Sequence, residues 1–138
     1  MIYLLDTNIL IYMIKNRPPE VGERVRALPT EDALAMSFVS YAELLMGAQK
    51  STRKDQVLQQ LERLTQNVVV RYPDSSAICH HYAEQFTRLK VTGQPIGAND
   101  LWIACHALSE AATLVTNNTR EFRRVSGLRI ENWADAQR

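Results

Sequence analysis

The amino-acid sequence predicts an α/β protein: a three-layer α/β/α sandwich with a mostly parallel sheet of about five strands. Short apolar runs alternate along the chain with longer segments in which apolar residues recur at helical spacing. The first of these runs contains no polar residue, as expected for a strand that is covered on both faces. Strands that alternate with helices form parallel sheets, because each helix returns the chain to the starting edge of the sheet.

Five segments have the composition of strands. The first is uninterrupted by polar side chains, and the second places Leu34, Met36 and Phe38 at alternate positions. The third is rich in β-branched residues and ends before Pro73. The fourth and fifth are short apolar runs near the end of the chain. The predicted strands are residues 2–5, 33–39, 68–71, 113–116 and 128–130.

Six segments have the composition of helices. The first is short and ends before Pro18 and Pro19, and the second begins at Ser40. The third and fourth each carry an apolar stripe along one face, whereas the fifth is apolar on nearly all sides, which indicates burial. The loop before the fifth helix is rich in turn residues. The predicted helices are residues 9–14, 40–49, 56–64, 75–91, 100–111 and 119–125.

Length and composition limit the class of protein. A chain of 138 residues is long enough to bury a core, and one domain over residues 1–138 is expected. The net charge of +1 does not by itself indicate a nucleic-acid-binding protein. Two cysteines, Cys79 and Cys105, argue against a disulfide scaffold and favour a reducing cytoplasm. The apolar residues 8–14 are too few to cross a membrane, so no membrane association is expected.

Four polar residues stand at the ends of predicted strands or at the starts of predicted helices. Asp6 and Asn118 follow apolar runs, whereas Glu43 and Asp100 lie in the first turns of helices. Ligands of open α/β sheets bind at the carboxyl ends of the strands, so we expect these four side chains to meet at one edge. Three carboxylates and an amide form the oxygen-rich site that Mg²⁺ or Mn²⁺ prefers. Such a site hydrolyses phosphodiesters by activating water.

Each of these residues also has an ordinary structural explanation. Ser40 and Glu43 have the spacing of a capping box. Asn99 is a natural N-cap, and Asp100 in a first helical turn is favoured by the helix dipole. Asp6 is compatible with a turn or with another helix cap, and Asn117 and Asn118 are compatible with a turn. These explanations are independent and predict no shared location, whereas the metal-site hypothesis predicts that all four residues lie at one edge of the sheet.

Four motifs occur in order along the chain: Asp-Thr-Asn at residues 6–8, Ser-x-x-Glu-Leu at 40–44, Asp-x-x-Ile-Ala at 100–104 and Thr-x-Asn-x-x-Glu-Phe at 116–122. Together they resemble the PIN-domain ribonucleases and, more narrowly, the VapC toxins of bacterial toxin–antitoxin pairs. The similarity covers essentially the whole chain. Asp6, Glu43 and Asp100 match the three metal-binding acids of the family. Asn118 falls where many members have a fourth Asp, and the replacement of this Asp by Asn is common in the enteric-type branch.

The resemblance implies a compact α/β/α sandwich, dependence on Mg²⁺ or Mn²⁺, endonucleolytic cleavage of RNA and a homodimer. It also implies inhibition by a small cognate antitoxin of the VapB type, in a hetero-oligomer. The Gly-x-Pro-Ile-Gly segment at residues 93–97 is similar to the branch that cuts initiator tRNA in the anticodon loop.

Other residues are predicted to support the site. Thr7, Asn8, Thr116 and Asn117 are placed to hydrogen-bond the carboxylates or bound water. Six basic residues are candidates for gripping the RNA backbone, although each is also explained as an ordinary solvated charge. These candidates are Lys15, Arg17, Arg88, Lys90, Arg120 and Arg123.

Two other classes fit parts of this pattern. A non-catalytic PIN-like module that binds RNA or protein would be favoured by loss of one of the three acids, and all three are present. A phospho-signalling receiver domain also gathers acids at strand ends. It requires an acidic pair early, an Asp on a middle strand and a late Lys, but residues 68–71 contain no acid and no lysine follows Lys90.

Overall fold

The computed structural model describes residues 1–134, which contain five strands and seven helices. The strands are β1 Ile2–Leu5, β2 Ala33–Ser37, β3 Val69–Arg71, β4 Thr113–Val115 and β5 Arg129–Glu131. The helices are α1 Thr7–Lys15, α2 Pro19–Ala27, α3 Phe38–Lys50, α4 Lys54–Thr65, α5 Ala77–Val91, α6 Ala98–Ser109 and α7 Thr119–Phe122. The last four residues of the predicted domain, 135–138, lie outside the described part.

The five strands form one sheet in the order β3-β2-β1-β4-β5, and every pairing is parallel. In the centre of the sheet, Tyr3 pairs with Leu34 on one side and with Thr113 on the other. Along the chain, β2 and β3 are added on one side of β1, and β4 and β5 are then added on its other side. The topological switch point, where ligands of such sheets bind, therefore lies at the carboxyl ends of β1 and β4.

Alternate residues of the strands pack into two separate cores. Leu4 and Leu114 belong to one core, which α5 and α6 cover, whereas Tyr3, Leu5 and Met36 belong to the other, which α1, α2 and α4 cover. Successive side chains of a strand point to opposite faces of a sheet, so the two cores lie on opposite faces. The predicted three-layer α/β/α sandwich is confirmed.

The start of α3 differs from the prediction. The sequence predicts a strand over residues 33–39 and a helix from Ser40, but β2 ends at Ser37 and Phe38 already begins the helix. Ser37 is the N-cap, because its hydroxyl oxygen accepts a hydrogen bond from the Val39 N–H at 3.2 Å. Phe38 and Val39 pack against the α5–α6 core. Their apolar character therefore extends the apparent strand pattern into the first turn of the helix.

Helix α2 was not predicted. Pro18 and Pro19 indicated only the end of the preceding helix, but Pro19 is also the first residue of α2, a position that proline favours. Val21 is the buried residue of this helix, and four of its nine residues are charged. One buried position gives too weak a periodicity to identify a helix from the sequence. Within residues 1–134, no helix has the length and apolar character that a membrane span requires.

We predict that Leu114→Ala lowers the free energy of unfolding by about 2–5 kcal/mol, because it leaves a cavity beneath the centre of the sheet. Leu114 has 0% exposure on β4. Val91→Ala is the matched control: Val91 is 82% exposed at the end of α5, so the change is expected to stay within about 0.5 kcal/mol. Urea unfolding of both variants measures the difference, and equal effects would contradict the assigned core.

Candidate active site

Asp6 lies where β1 gives way to α1, at the switch point of the sheet. Its backbone N–H donates to the Val115 carbonyl at 2.8 Å, which extends the pairing of β1 with β4. Its carboxylate accepts hydrogen bonds from the Thr7 N–H and from the Thr116 hydroxyl, each at 2.8 Å. With 5% exposure, Asp6 is a buried carboxylate held from both sides.

Glu43 lies in the second turn of α3 and is linked to α1. The Thr7 hydroxyl donates to Glu43 Oε1 at 2.8 Å, and Thr7 Oγ1 is 3.1 Å from Ser40 Oγ. Because Thr7 has one hydroxyl proton and a carboxylate only accepts, Ser40 is the donor in the second contact. The capping-box explanation is therefore wrong: Ser37 caps the helix, and Ser40 is a buried residue within it.

Asp100 is the third residue of α6 and is partly buried. Gly97, and not the predicted Asn99, is the N-cap residue of this helix. The pKa of the Asp100 carboxyl is raised to about 6, chiefly by burial and then by the negative charges of Asp6, Glu121 and Glu43 in that order. Asp100 therefore lies within electrostatic reach of the other acids.

Burial also raises the pKa of Asp6, with smaller contributions in the same direction from Glu43 and Glu121. The hydrogen bonds from Thr116 and Thr7 act the other way, because they stabilise the charged form. In the part of the chain that the structure describes, none of these acids forms an ion pair with a basic side chain. The edge of the sheet thus gathers negative charge without a protein cation to balance it.

Glu121 is a fourth acid at this edge, and sequence reasoning missed its role. Its Oε1 accepts a hydrogen bond from the Gly97 N–H at 3.1 Å, and its Oε2 accepts one from the Asn118 side-chain amide at 2.9 Å. Glu121 therefore joins the segment that leads into α6 to the turn that leads into α7. The sequence does contain a signal for this contact. Glu121 lies three residues after Asn118, inside the motif of residues 116–122, and side chains three residues apart on a helix are neighbours.

The structure brings some of the predicted supporting residues together and separates others. Thr7 and Thr116 contact the acids directly, and Thr116 Oγ1 also accepts a hydrogen bond from the Asn118 N–H at 3.0 Å. Asn8 is exposed, and the Asn117 amide donates to the Tyr12 hydroxyl at 3.2 Å. Neither asparagine side chain hydrogen-bonds a carboxylate of the site within residues 1–134.

Among the six basic candidates, Arg88 has a different role from the one predicted. Its Nη2 donates to Gln85 Oε1 at 2.8 Å and to the Arg124 carbonyl, so the guanidinium fastens α5 to the segment after α7. This internal use argues against contact with RNA. Lys15 follows Thr7 by eight residues, which places it about 12 Å further along α1. The remaining candidates, Arg17, Lys90, Arg120 and Arg123, are exposed.

The donor set fits a hard divalent cation. Asp6, Glu43 and Asp100 would supply the oxygen ligands, and a bound cation would balance negative charges that have no basic partner in residues 1–134. As the side chains stand, no group of three or more His, Cys, Asp or Glu residues in residues 1–134 is arranged to hold a metal ion. Mg²⁺ usually retains several waters and takes only one or two carboxylates directly, so its binding does not require all three acids to converge.

We predict that the Asp100 carboxyl of the metal-free protein titrates near pH 6. Glu121→Gln and Asp6→Asn should each lower this pKa, because each removes a negative neighbour, and Asp6→Asn should have the larger effect. Carbon-13 NMR titration of the aspartate carboxyls measures the change. An unaltered Asp100 titration in both variants would show that the acids do not share one site.

The same shift sets the pH dependence of metal binding. The pKa of the Asp100 carboxyl is raised from its ordinary value of 3.8 to about 6. Below about pH 6 the folded, metal-free protein therefore holds a proton on this carboxyl, and a metal must displace that proton to bind. Mn²⁺ affinity should therefore fall by about tenfold per pH unit below about pH 6 and level off above it. Calorimetric titration over this range measures the slope, which Asp100→Asn should flatten.

Comparisons with known proteins agree with this architecture. The PIN domain model matches residues 3–128. Ribonuclease VapC1 of Haemophilus influenzae (strain R2866) is 51% identical over 133 residues, covering 96% of this chain and 98% of that protein. The tRNA(fMet)-specific endonuclease VapC of Shigella flexneri is 39% identical over 132 residues, with 96% and 98% covered.

A solved structure of VapBC-1 from nontypeable Haemophilus influenzae superposes with a TM-score of 0.91 at 50% identity, covering 98% of this chain and 100% of that one. The family model spans most of the chain, and the relatives exceed 30% identity over nearly their full lengths. The resemblance inferred from the four motifs is thus confirmed, and the chain belongs to the PIN-domain family, among the VapC ribonucleases.

Proposed function

We propose that this chain is a Mg²⁺- or Mn²⁺-dependent endoribonuclease and the toxin of a toxin–antitoxin pair. The observation that carries the proposal is the gathering of Asp6, Glu43 and Asp100 at the switch point of the sheet without a balancing cation. The relatives that share this fold are named as ribonucleases, which supports RNA as the substrate. Mg²⁺ and Mn²⁺ both accept oxygen ligands of this type.

In the proposed mechanism, Asp6, Glu43 and Asp100 would hold the metal. The chemistry that a divalent ion would supply there is a lower pKa for a bound water and compensation of negative charge on the phosphate. The hydrogen bonds from Thr7 and Thr116 fix the orientation of the Asp6 carboxylate and favour its charged form. Thr7 also fixes Oε1 of Glu43, so one residue contacts two of the three acids.

Asn118 assists these acids. Its side-chain amide donates to Glu121, and its backbone N–H donates to Thr116. The amide oxygen is left as an uncharged acceptor for water or a ribose hydroxyl. Asn118 is therefore assigned a supporting role, and Asp6, Glu43 and Asp100 carry the charge that binds the metal.

The proposed partners follow from the relatives and from the charge of the site. Several related structures are complexes of VapC with VapB, including one from Rickettsia felis that is bound to promoter DNA. We infer a small VapB-like antitoxin that inserts a basic side chain, preferably Arg, among the acids and so excludes metal and RNA. We also propose that the chain forms a homodimer, that it forms a hetero-oligomer with the antitoxin, and that it is located in the cytoplasm.

Initiator tRNA is the proposed RNA substrate. The Shigella flexneri relative is named as specific for tRNA(fMet), and the segment of residues 93–97 resembles that branch. This segment leads directly into α6 and is tied to Glu121 through Gly97, so it borders the acids that would cut the RNA.

We predict that the purified chain cuts initiator tRNA with Mg²⁺ or Mn²⁺ and loses activity with a chelator. Asp100→Asn should abolish cleavage while the protein stays folded, because the change removes a metal-binding charge and costs only a few tenths of a kcal/mol of helix-dipole interaction. Mapping of the RNA ends after incubation with total RNA identifies the target. Full activity of Asp100→Asn would overturn the assignment of Asp100 to the metal. A correctly folded wild-type chain that never cuts RNA would instead leave a non-catalytic binding module as the better explanation.

A separate prediction concerns Asn118. Asn118→Ala should slow cleavage by about 10–100-fold while the metal requirement persists, because residues that support metal ligands have effects of this size. Asn118→Asp should retain activity and bind Mn²⁺ more tightly, since it adds a negative charge to the site. Cleavage by Asn118→Ala at the unmodified rate would place this side chain outside the reaction.

A further inference from the structure

A buried row of polar side chains connects α6 with the start of α3, apart from the acids of the site. His106 Nδ1 is 2.8 Å from Ser37 Oγ, and His106 Nε2 is 3.6 Å from Glu110 Oε2. Arg71 Nε donates to both carboxylate oxygens of Glu110, at 2.8 and 2.6 Å. His106 and Ser37 each have 0% exposure. A buried polar row of this kind requires an explanation, because the metal chemistry does not use it.

The contacts of Ser37 and Glu110 indicate the state of the histidine. Ser37 Oγ accepts from the Val39 N–H and can donate its own proton to His106 Nδ1. In this assignment the imidazole is neutral and its proton is on Nε2, which has no hydrogen-bond partner within residues 1–134 and lies 3.6 Å from Glu110 Oε2. Burial lowers the pKa of His106, in agreement with a neutral ring, while Glu110 and Asp74 raise it and Arg71 lowers it. Complete burial of Ser37 excludes its use as a nucleophile on a substrate.

Ser37, Ser40 and Glu43 follow one another at intervals of three residues at the start of α3. Side chains three residues apart are neighbours on a helix, and each such step turns by about 60° around the helix axis. Ser37 is attached to α6 through His106, whereas Ser40 and Glu43 are attached to α1 through Thr7. The helix is therefore held at its N-cap residue by α6, in one layer of the sandwich, and at Ser40 and Glu43 by α1, in the other.

We propose that His106 is a positioning residue for the metal site. Through Ser37 it fixes the start of α3, and the start of α3 sets where Glu43 meets Asp6 and Asp100. Thr7 alone constrains one oxygen of Glu43, but it does not fix the rotation of the helix that carries the carboxylate. Displacements of about 1 Å are enough to weaken such sites. The inference rests on the proposed metal-dependent function.

The first test measures Mn²⁺ binding by calorimetry on the full chain. His106→Leu removes the acceptor for Ser37 but keeps an apolar side chain, and it should weaken Mn²⁺ affinity by about 10–100-fold. His106→Asn places an amide oxygen near the position of Nδ1 and should restore most of the affinity. Leu108→Ala is the matched control, because it loosens α6 against the same core without touching Ser37, and it should bind Mn²⁺ like the unmodified chain.

A double-mutant cycle tests the route through Ser37. If His106 acts through the cap, His106→Leu has no further effect on Mn²⁺ affinity in a Ser37→Ala background. Additive losses would overturn the inference, as would unmodified affinity in folded His106→Leu or an equal loss in Leu108→Ala. Should His106→Leu fail to fold, His106→Gln replaces it, because its longer side chain keeps polar atoms but moves the acceptor away from Ser37.

RNA cleavage recorded on the same samples separates this inference from the proposed function. An unmodified chain that binds Mn²⁺ without cutting RNA overturns the function, while the order of Mn²⁺ affinities among the variants still decides the role of His106. A chain that cuts RNA with the same metal affinity in all His106 variants supports the function and overturns the positioning role. In the supporting outcome, His106→Leu lowers kcat at limiting Mn²⁺ and leaves the KM for RNA unchanged.

Discussion

The repulsion among carboxylates at the carboxyl edge of the sheet is the constraint on which this structure depends. Each acid added to the edge raises the free energy of the charged forms of the others. The fold offsets this repulsion with hydrogen-bond donors that it places beside most of the acids. Asp6 accepts hydrogen bonds from Thr7 and Thr116, and Glu43 accepts one from Thr7. Glu121 accepts hydrogen bonds from Gly97 and Asn118. Asp100 accepts no such bond within residues 1–134, and its pKa, at about 6, is the one most clearly displaced.

The sequence predicts most of the fold because period-two and period-3.6 patterns report burial directly. The prediction of element boundaries fails where one residue fits two elements. Pro19 ends one apolar segment and begins α2, and the apolar Phe38 continues the pattern of β2 although it already belongs to α3. The same ambiguity at Phe38 produces the false capping box at Ser40, since a helix that begins at Phe38 places both Ser40 and Glu43 inside it.

The site was predictable to the extent that its residues stand at strand ends. Asp6 and Asn118 follow β1 and β4, and parallel strands deliver their carboxyl ends to one edge. Glu121 was not predictable in the same way, because its side chain reaches the site from α7 through contacts with Gly97 and Asn118 that depend on tertiary packing. The basic residues show the same limit. Charge alone did not distinguish the internally bonded Arg88 from the exposed Arg120.

The hydrogen bonds that build the acid site join residues far apart in the chain. Thr7 and Glu43 are separated by 36 positions, and Thr116 and Asp6 by 110. Protein synthesis proceeds from the N-terminus, so Asp6 lacks its partner Thr116 until the residues that follow β4 have left the ribosome. A nascent or prematurely terminated chain that ends before β4 therefore lacks the assembled acid site, and synthesis of the first 112 residues proceeds without this chemistry.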